Sequence, residues 1–372
     1  MTRATASSVP TSVSIKIFLF ISLQVTSVIL ESTIVILTKR FYTYALILQY
    51  YQINVMAQKA VPVLDLAQWT EGSVEQKAQF VAELGDAFHE IGFIAIKNHG
   101  IPMSLIKDFY SSSKSFFALD KPTKSKYEIP GLAGQRGYTS FGKEHAKGSK
   151  VADLKEFFQI GQEVGVEHPA KERYPDNVQV AEVPQFPKLG FDLYKAFEKV
   201  GSVLLKAIAI HLDLPQDYFD GQVHEGSSIL RAIHYPPITE EPMSAIRAEQ
   251  HEDINLITLL VGASAGGLQL LNKDNEWLDI EPEEDEIVIN VGDMLQRMTN
   301  DYLKSTTHRV INPPRAEWHK PRLSIPFFLH PVPNMDLTCL DRCISAGEAA
   351  HYEPITAGEY LDERLREIGL KK

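Results

Sequence analysis

The chain has 372 residues, of which 44% are hydrophobic and 23% charged, a composition typical of globular proteins and not of collagen-like, disordered or coiled-coil chains. Its formal net charge of −11 has the wrong sign for a protein that covers nucleic-acid phosphates, so we expect no nucleic-acid partner. Two cysteines, Cys339 and Cys343, are too few for a disulfide framework and favour a reducing compartment, the cytoplasm.

The first 55 residues differ from the rest of the chain. They hold four basic side chains and one acidic, a net charge of +3, so the remainder carries −14. The apolar run 17–38 is long enough to cross a bilayer, although Glu31 near its centre costs about 2.5–3.5 kcal/mol on insertion. Three interpretations stay open: an extension outside the fold ahead of a start at Met56, a membrane anchor, or a targeting peptide.

The following segment predicts alternating strands and helices. Residues 61–66 alternate in polarity like a strand, and Ser73 with Gln76 forms a capping box that predicts a helix start. Gly92 ends that helix. The further elements predicted here are a buried strand at 93–96, helices at 105–118 and 193–212, and mostly loop, which could act as a flap, at 121–187.

From Ser228 onward the pattern changes to short runs of period two, separated by Pro, Gly and Asn, which predicts an antiparallel sandwich or barrel. The predicted strands are 229–235, 255–260, 268–271, 276–280, 286–290, 307–311 and 322–328. A surface helix is expected within 346–372. The fold class is therefore α+β, with a mainly β core and flanking helices.

His251 and Asp253 are the first residues that indicate chemistry. At positions i and i+2 of a strand they would face the same side, and His308 on another strand could complete a set of three ligands. Two histidines and one carboxylate form the facial triad of non-haem Fe(II) oxygenases. In a chain with twelve histidines the pattern can also arise by chance.

Arg322 and Ser324 form a second motif within an apolar strand. They share a strand face and offer a guanidinium group and a hydroxyl to one carboxylate. Tyr235, on another predicted strand, would add a further hydroxyl. The alternative is that Arg322 is an ordinary surface arginine, which its apolar surroundings disfavour.

Several motifs occur in the order found in the isopenicillin N synthase-like family of Fe(II)/2-oxoglutarate dioxygenases, and the chain resembles that family from about 61 to 333. These motifs are His251-x-Asp253, 266–270 (GGLQL), 290–293 (NVGD), 305–310 (STTHRV) and 322–328 (RLSIPFF). The resemblance implies a double-stranded β-helix, or distorted jelly-roll. It divides the chain into a leader (1–55), an N-terminal region (56–225), the jelly-roll core (226–335) and a C-terminal helical tail (336–372).

The resemblance also implies roles for individual residues. His251, Asp253 and His308 match the iron ligands, and Arg322 and Ser324 match the clamp for the distal carboxylate of 2-oxoglutarate. Tyr235 matches a tyrosine that supports this clamp.

Four further positions are substrate candidates. Ile233 stands where plant members often have Asn, which leaves one polar contact open. Strand parity places Arg231 on the same face, so it could anchor an acidic group of the substrate, and Phe328 should also point into the pocket. Tyr138 matches a substrate-facing loop aromatic, but a packed loop residue is an equal alternative.

The implied activity is an iron-centred oxidation with no separate acid or base. Fe(II) and the co-substrate 2-oxoglutarate are the expected cofactors, ascorbate the reductant, and O₂ and a small organic molecule the partners of a monomer. Hydroxylation, desaturation and ring closure stay open. So do a 2-oxoglutarate-independent oxidase of the isopenicillin N synthase type and, with less support because all motif residues are present, a non-catalytic binding module.

Overall fold

The computed structural model describes residues 61–132, 134–144 and 151–367. The apolar run 17–38 and the boundary at Met56 lie outside these residues, so the leader and the domain limits stay predictions. Within the described ranges, none of the helices combines the length and the hydropathy that a bilayer crossing needs.

The predicted α+β class with a mainly β core is confirmed. The helices are α1 (Leu66–Thr70), α2 (Val74–Glu90), α3 (Met103–Phe117), α4 (Lys121–Ser125), α5 (Gln185–His211), α6 (Asp220–Val223), α7 (Asp293–Met298) and α8 (Ala357–Glu367). The strands are β1 (Val63–Asp65), β2 (Phe93–Lys97), β3 (Gly137–Thr139), β4 (Glu156–Gly161), β5 (Ile229–Tyr235), β6 (Ala248–His251), β7 (Ile257–Val261), β8 (Leu268–Leu271), β9 (Trp277–Asp279), β10 (Ile287–Val291), β11 (His308–Val310) and β12 (Arg322–Leu329).

Two sheets form the core. The large sheet has the strand order β1-β2-β10-β7-β12-β5-β4-β3 and the small sheet β6-β11-β8-β9. All neighbours pair antiparallel except β1 and β2. Side chains from the facing surfaces pack together, for example Ile233 and Tyr235 of β5 with Leu268 and Val310 of the small sheet. This face-to-face packing is the jelly-roll that the sequence predicted.

The outer face of the large sheet is covered by helices. Leu230 of β5 points outward because side chains alternate along a strand, and it joins the cluster that contains α2, α3 and α5. Phe197 of α5 stacks on Phe327 of β12 with ring centroids 5.6 Å apart. The helices therefore hold the large sheet from behind and leave its other face to the site.

Two helices begin where side chains close in sequence accept hydrogen bonds from the first backbone amides. The capping box is confirmed: the Gln76 amide N donates to Ser73 Oγ, and the Ser73 amide N donates to Gln76 Oε1. The predicted strand at 61–66 is shorter than expected. Asp65 ends it by accepting a hydrogen bond from the amide N of Ala67, which starts α1 at Leu66.

The interpretation of 121–187 as mostly loop is wrong in part, because α4, β3 and β4 lie within it. All six residues of β4 are buried, since β3 and β5 flank the strand and both of its faces are covered. Glu156 and Gln159 are among them, and these polar residues conceal the strand in the sequence. β4 extends the sheet that forms the cavity wall.

Glu156 is the centre of a buried polar group. Lys124 Nζ lies 2.8 Å from Glu156 Oε2, His234 Nδ1 lies 2.8 Å from Oε1, and the Tyr138 hydroxyl donates to Oε2. Burial alone would raise the pKa of Glu156, but the hydrogen bonds from His234, Lys124 and Tyr138 outweigh it and lower the pKa. The group ties α4 and β3 to the sheet.

We expect Glu156→Gln to lower the free energy of unfolding by about 3 kcal/mol, because it leaves the buried Lys124 ammonium without a countercharge. Since the folded state lowers the pKa of Glu156, its contribution is present above the unfolded-state pKa of about 4.3 and is lost as the pH falls through the lower folded value. Urea unfolding across this pH range measures both effects.

Asp192→Asn is the control, because Asp192 forms an exposed i,i+4 pair with Lys188. It should change the free energy of unfolding by less than about 0.5 kcal/mol. Equal effects of the two substitutions would contradict the buried-pair argument.

Candidate metal centre

His251, Asp253 and His308 come together between the two sheets. Each offers one ligand atom, and these atoms lie within 4.8 Å of one another. His251 ends β6 and is paired directly with His308, the first residue of β11, with ring centroids 4.5 Å apart. The antiparallel pairing of two short strands thus brings together histidines that are far apart in sequence.

The two imidazole rings are oriented by backbone carbonyl groups. His251 Nδ1 lies 2.7 Å from Glu249 O, and His308 Nδ1 lies 3.1 Å from Thr306 O. A carbonyl oxygen only accepts, so each Nδ1 carries the proton and each Nε2 keeps a lone pair for a metal. Burial, followed by the charge of His308, lowers the pKa of His251, which also favours the neutral ligand form.

Asp253 is placed by hydrogen bonds and not by strand parity. β6 ends at His251, so the expectation that both residues lie on one strand is wrong. Thr258 Oγ1 and Asn290 Nδ2 both donate to Asp253 Oδ2, at 2.6 and 2.8 Å. Burial would raise the pKa of Asp253, but its electrostatic interactions with the neighbouring His308 and His251 and these two bonds hold it below its usual value. The carboxylate is therefore ionised and fixed.

Arg322, Ser324 and Tyr235 lie on adjacent strands of the same sheet face. Arg322 pairs with Tyr235 in the register of β12 and β5, and its Cζ lies 5.1 Å from the centroid of the Tyr235 ring. Arg322 is 1% exposed, and its Nε donates to Ala265 O at 3.0 Å. Its buried Nη1 has no hydrogen-bond partner within the described residues. This donor is available for an anion.

A second buried arginine was not predicted. The Cζ of Arg247 lies 5.9 Å from the centroid of the Tyr235 ring, so two guanidinium groups lie near that ring. Burial, followed by the charge of Arg322, lowers the pKa of Arg247 to about 10. No local pattern in the sequence marks Arg247, because its partners are all distant in the chain.

All four substrate candidates line the cavity. Arg231, Ile233 and Phe328 do so together with His251, Asp253 and His308, and Tyr138 lines it as well. Tyr138 is 3% exposed, bonds to Glu156 and packs edge-on against Phe116 at 5.8 Å. Tyr138 is thus packed within the wall of the cavity, and its contact with a substrate stays a prediction.

The cavity has a volume of about 2350 Å³ and includes residues that the sequence analysis set aside. His330 extends the inward-facing row of β12, and its buried Nδ1 has no partner among the residues that the structure describes. Burial lowers its pKa to about 4, so the ring is neutral. Parity counted onward from Arg322 could have indicated this position.

The C-terminal helix α8 closes another side of the cavity. Leu361 and Leu365 contribute to the wall. Tyr360 anchors the helix, since its hydroxyl donates to Asp293 Oδ2 at 3.3 Å and Arg297 Cζ lies 5.4 Å from its ring centroid. The tail that was expected to be a surface helix therefore shapes the site.

Comparison with known proteins gives two matches to family descriptions. Residues 61–188 match the N-terminal region of non-haem dioxygenases in morphine synthesis, and residues 226–331 match the 2OG-Fe(II) oxygenase superfamily. A 2-oxoglutarate-Fe(II) type oxidoreductase of Emericella nidulans is 32% identical over 318 residues, 82% of this chain and 89% of that protein. A proline hydroxylase of Petromyces alliaceus is 33% identical, over 81% of this chain and 97% of its own.

Solved structures show the same likeness. A 2OG-Fe(II) oxygenase family protein from Caulobacter crescentus is 40% identical, with a TM-score of 0.76 over 84% of this chain and all of its own. A full-length Neurospora crassa protein, solved in complex with alpha-KG and thymine, is 30% identical, with a TM-score of 0.73 over 82% of this chain and 96% of its own.

We expect Thr258→Val to weaken Fe(II) binding about tenfold or more, because it removes a donor to Asp253 while keeping the side-chain shape. Thr258→Ser is the matched control, since it retains the hydroxyl and should bind Fe(II) like the wild type. Anaerobic equilibrium dialysis measures both. Equal Fe(II) affinity in the valine and serine variants would contradict the role given to this hydrogen bond.

Proposed function

We propose that His251, Asp253 and His308 hold Fe(II) in this chain, which belongs to the 2OG-Fe(II) oxygenase superfamily and is a 2-oxoglutarate-dependent non-haem iron oxygenase. The enzyme couples oxidative decarboxylation of 2-oxoglutarate to hydroxylation, desaturation or ring closure of a small organic substrate. One observation carries the proposal. Three ligand atoms that are fixed by hydrogen bonds converge in the same cavity as Arg322, whose buried Nη1 has no acceptor among the described residues.

The donor set fits the metal. Two imidazole nitrogens and one carboxylate oxygen are the ligands that Fe(II) oxygenases use, and they leave coordination positions open. The chain directs all three ligand atoms to one point, because Glu249 O and Thr306 O accept from Nδ1 of each imidazole and leave Nε2 for the metal, and Asp253 stays ionised.

Arg322 and Ser324 bind the distal carboxylate of 2-oxoglutarate in this proposal. The Nη1 of Arg322 has no partner in the described part of the chain, so a carboxylate oxygen would satisfy a buried donor that is otherwise costly. Ser324 is 4% exposed and adds a hydroxyl from the same strand face. The Tyr235 ring supports the guanidinium group from the side.

Bound Fe(II) and 2-oxoglutarate supply O₂ activation, with succinate and CO₂ as co-products. The chain's own residues bind and orient the reactants, and they exclude water from the site. Phe93 packs edge-on against His308 with ring centroids 5.6 Å apart, and Leu268 and Val310 surround the site with apolar surface. Arg231, Ile233 and Phe328 face the substrate. No separate acid or base is assigned.

Further expectations concern the working conditions. We propose that ascorbate maintains the reduced iron and that the enzyme acts as a monomer in the cytoplasm. The free thiols of Cys339 and Cys343 support the compartment, because the cytoplasm is reducing. The direct test is a metabolite screen scored by succinate formed from 2-oxoglutarate with Fe(II), O₂ and ascorbate. Substrate-dependent release of labelled CO₂ from 2-oxoglutarate excludes the 2-oxoglutarate-independent alternative.

We expect Arg322→Ala to weaken 2-oxoglutarate binding by about 30-fold or more, because a buried charge-assisted contact is worth roughly 2–5 kcal/mol on truncation. Anaerobic calorimetry on the Fe(II)-loaded protein measures the dissociation constant. Arg315→Ala, at a position whose side chain is 81% exposed, is the control and should bind normally. A wild-type succinate yield from Arg322→Ala at low 2-oxoglutarate concentration would refute the assignment.

A further inference from the structure

A second polar centre lies in the cavity, separate from the metal ligands and from the 2-oxoglutarate clamp. We call it the Arg231 pocket and define it by five cavity-lining residues: Glu144, Asp153, Lys155, Gln159 and Arg231. It contains two cations and two carboxylates, so its charges balance. The reaction proposed above uses none of its four charged groups for iron or 2-oxoglutarate.

The guanidinium group of Arg231 is held in one plane. Its Cζ lies 4.2 Å from the ring centroid of Phe157 and 5.3 Å from that of Phe328. Its Nε donates to Gln159 Oε1 at 2.9 Å, and its Nη1 donates to both oxygens of Glu144, at 3.1 and 3.3 Å. An arginine fixed in this way is arranged to bind a carboxylate, and here that carboxylate belongs to the protein itself.

The four charges form an inner and an outer pair. Lys155 lies 2.8 Å from Asp153, and the side chains of these two are only 7% and 5% exposed. Arg231 and Glu144 are more accessible, at 19% and 18%. Lys155 also contacts Glu144 at 2.8 Å, but it would retain its ion pair with Asp153 if Glu144 moved away. The outer carboxylate can therefore be exchanged for another one without leaving a buried charge unpaired.

The pocket adjoins the metal centre. Phe328, which contacts Arg231, lies opposite Thr258 in the register of β12 and β7, and Thr258 donates to Asp253. Opposite side chains on one sheet face are about 5 Å apart at Cβ. A molecule bound to Arg231 would thus extend toward the iron side of the cavity.

We propose that the prime substrate carries a carboxylate, and that this carboxylate binds Arg231 in place of Glu144, which serves as an internal counter-ion. The proposal rests on the proposed function, because it assigns the substrate class of the same site. Glu144 suits this role since burial, which would raise its pKa, is outweighed by Arg231 and Lys155, and its pKa is lowered to about 2. Glu144 is therefore ionised and neutralises Arg231 in the absence of substrate.

The test compares amino acids and aromatic carboxylic acids with their own primary amides, scored by succinate formed from 2-oxoglutarate by the Fe(II)-loaded full chain. Acids should stimulate turnover and the matching amides should not. Arg231→Met should raise the KM for a stimulating acid about 30-fold or more. Glu144→Gln should lower that KM about tenfold, because a neutral amide competes less well for the arginine.

The opposite shifts in KM distinguish an exchange of Glu144 for the substrate carboxylate from a purely structural role of the Arg231–Glu144 pair. If the Arg231–Glu144 pair only stabilises the wall of the pocket, both substitutions raise the KM, and the proposal fails. It also fails if amides stimulate as well as acids, if Arg231→Met keeps the wild-type KM, or if no acid stimulates the wild type or Glu144→Gln. Failure of the proposed function is different: the wild type then forms no succinate from 2-oxoglutarate with any compound or with none.

Discussion

A carboxylate buried between two β-sheets is stable only where hydrogen-bond donors surround it, and Asp253 meets this condition through Thr258 and Asn290. Those donors come from β7 and β10, which are neighbours in the large sheet, whereas the histidines come from β6 and β11 of the small sheet. The ligand set is therefore complete only when the sheets are packed together. Folding of the core and formation of the metal centre are one event.

The electrostatics of the cavity differ from those of the surface. The chain is acidic overall, yet the buried Arg322 and Arg247 both lie near the Tyr235 ring, and burial followed by the charge of Arg322 lowers the pKa of Arg247. Two neighbouring like charges in a medium of low dielectric constant repel each other strongly. A dicarboxylate bound in this region would relieve the repulsion, whereas the net charge of −11 opposes anions at long range.

The sequence predicted the parts of the site that depend on local patterns. His251, Asp253, His308, Arg322 and Ser324 were singled out from spacing and resemblance, strand parity indicated Arg231 and Phe328, and the structure places all seven around one cavity. What it missed depends on contacts between distant segments. Arg247 and Glu144 have no periodic signal; Arg247 donates to Lys320 O, and Glu144 pairs with Arg231, 87 residues away, as well as with the nearer Lys155.

The errors have the same physical origin. β4 was interpreted as loop because buried Glu156 and Gln159 interrupt its apolar pattern, and only the pairing with β3 and β5 reveals why these side chains are satisfied. Asp253 was assigned to the wrong backbone context, although its role did not depend on that assignment. Asn290 was recognised in a motif, but its hydrogen bond to Asp253 became visible only in three dimensions.

The position of α8 has a consequence for how such enzymes diversify. The matched oxygenase region ends at residue 331, but Leu361 and Leu365 beyond it form part of the cavity wall. Two chains could thus share the residues around His251 and Arg322 and still accept different molecules, because a change in α8 alters the shape of the cavity wall. The wall of the cavity thus combines residues of the matched oxygenase region, such as Arg231, with residues of a helix that lies beyond it.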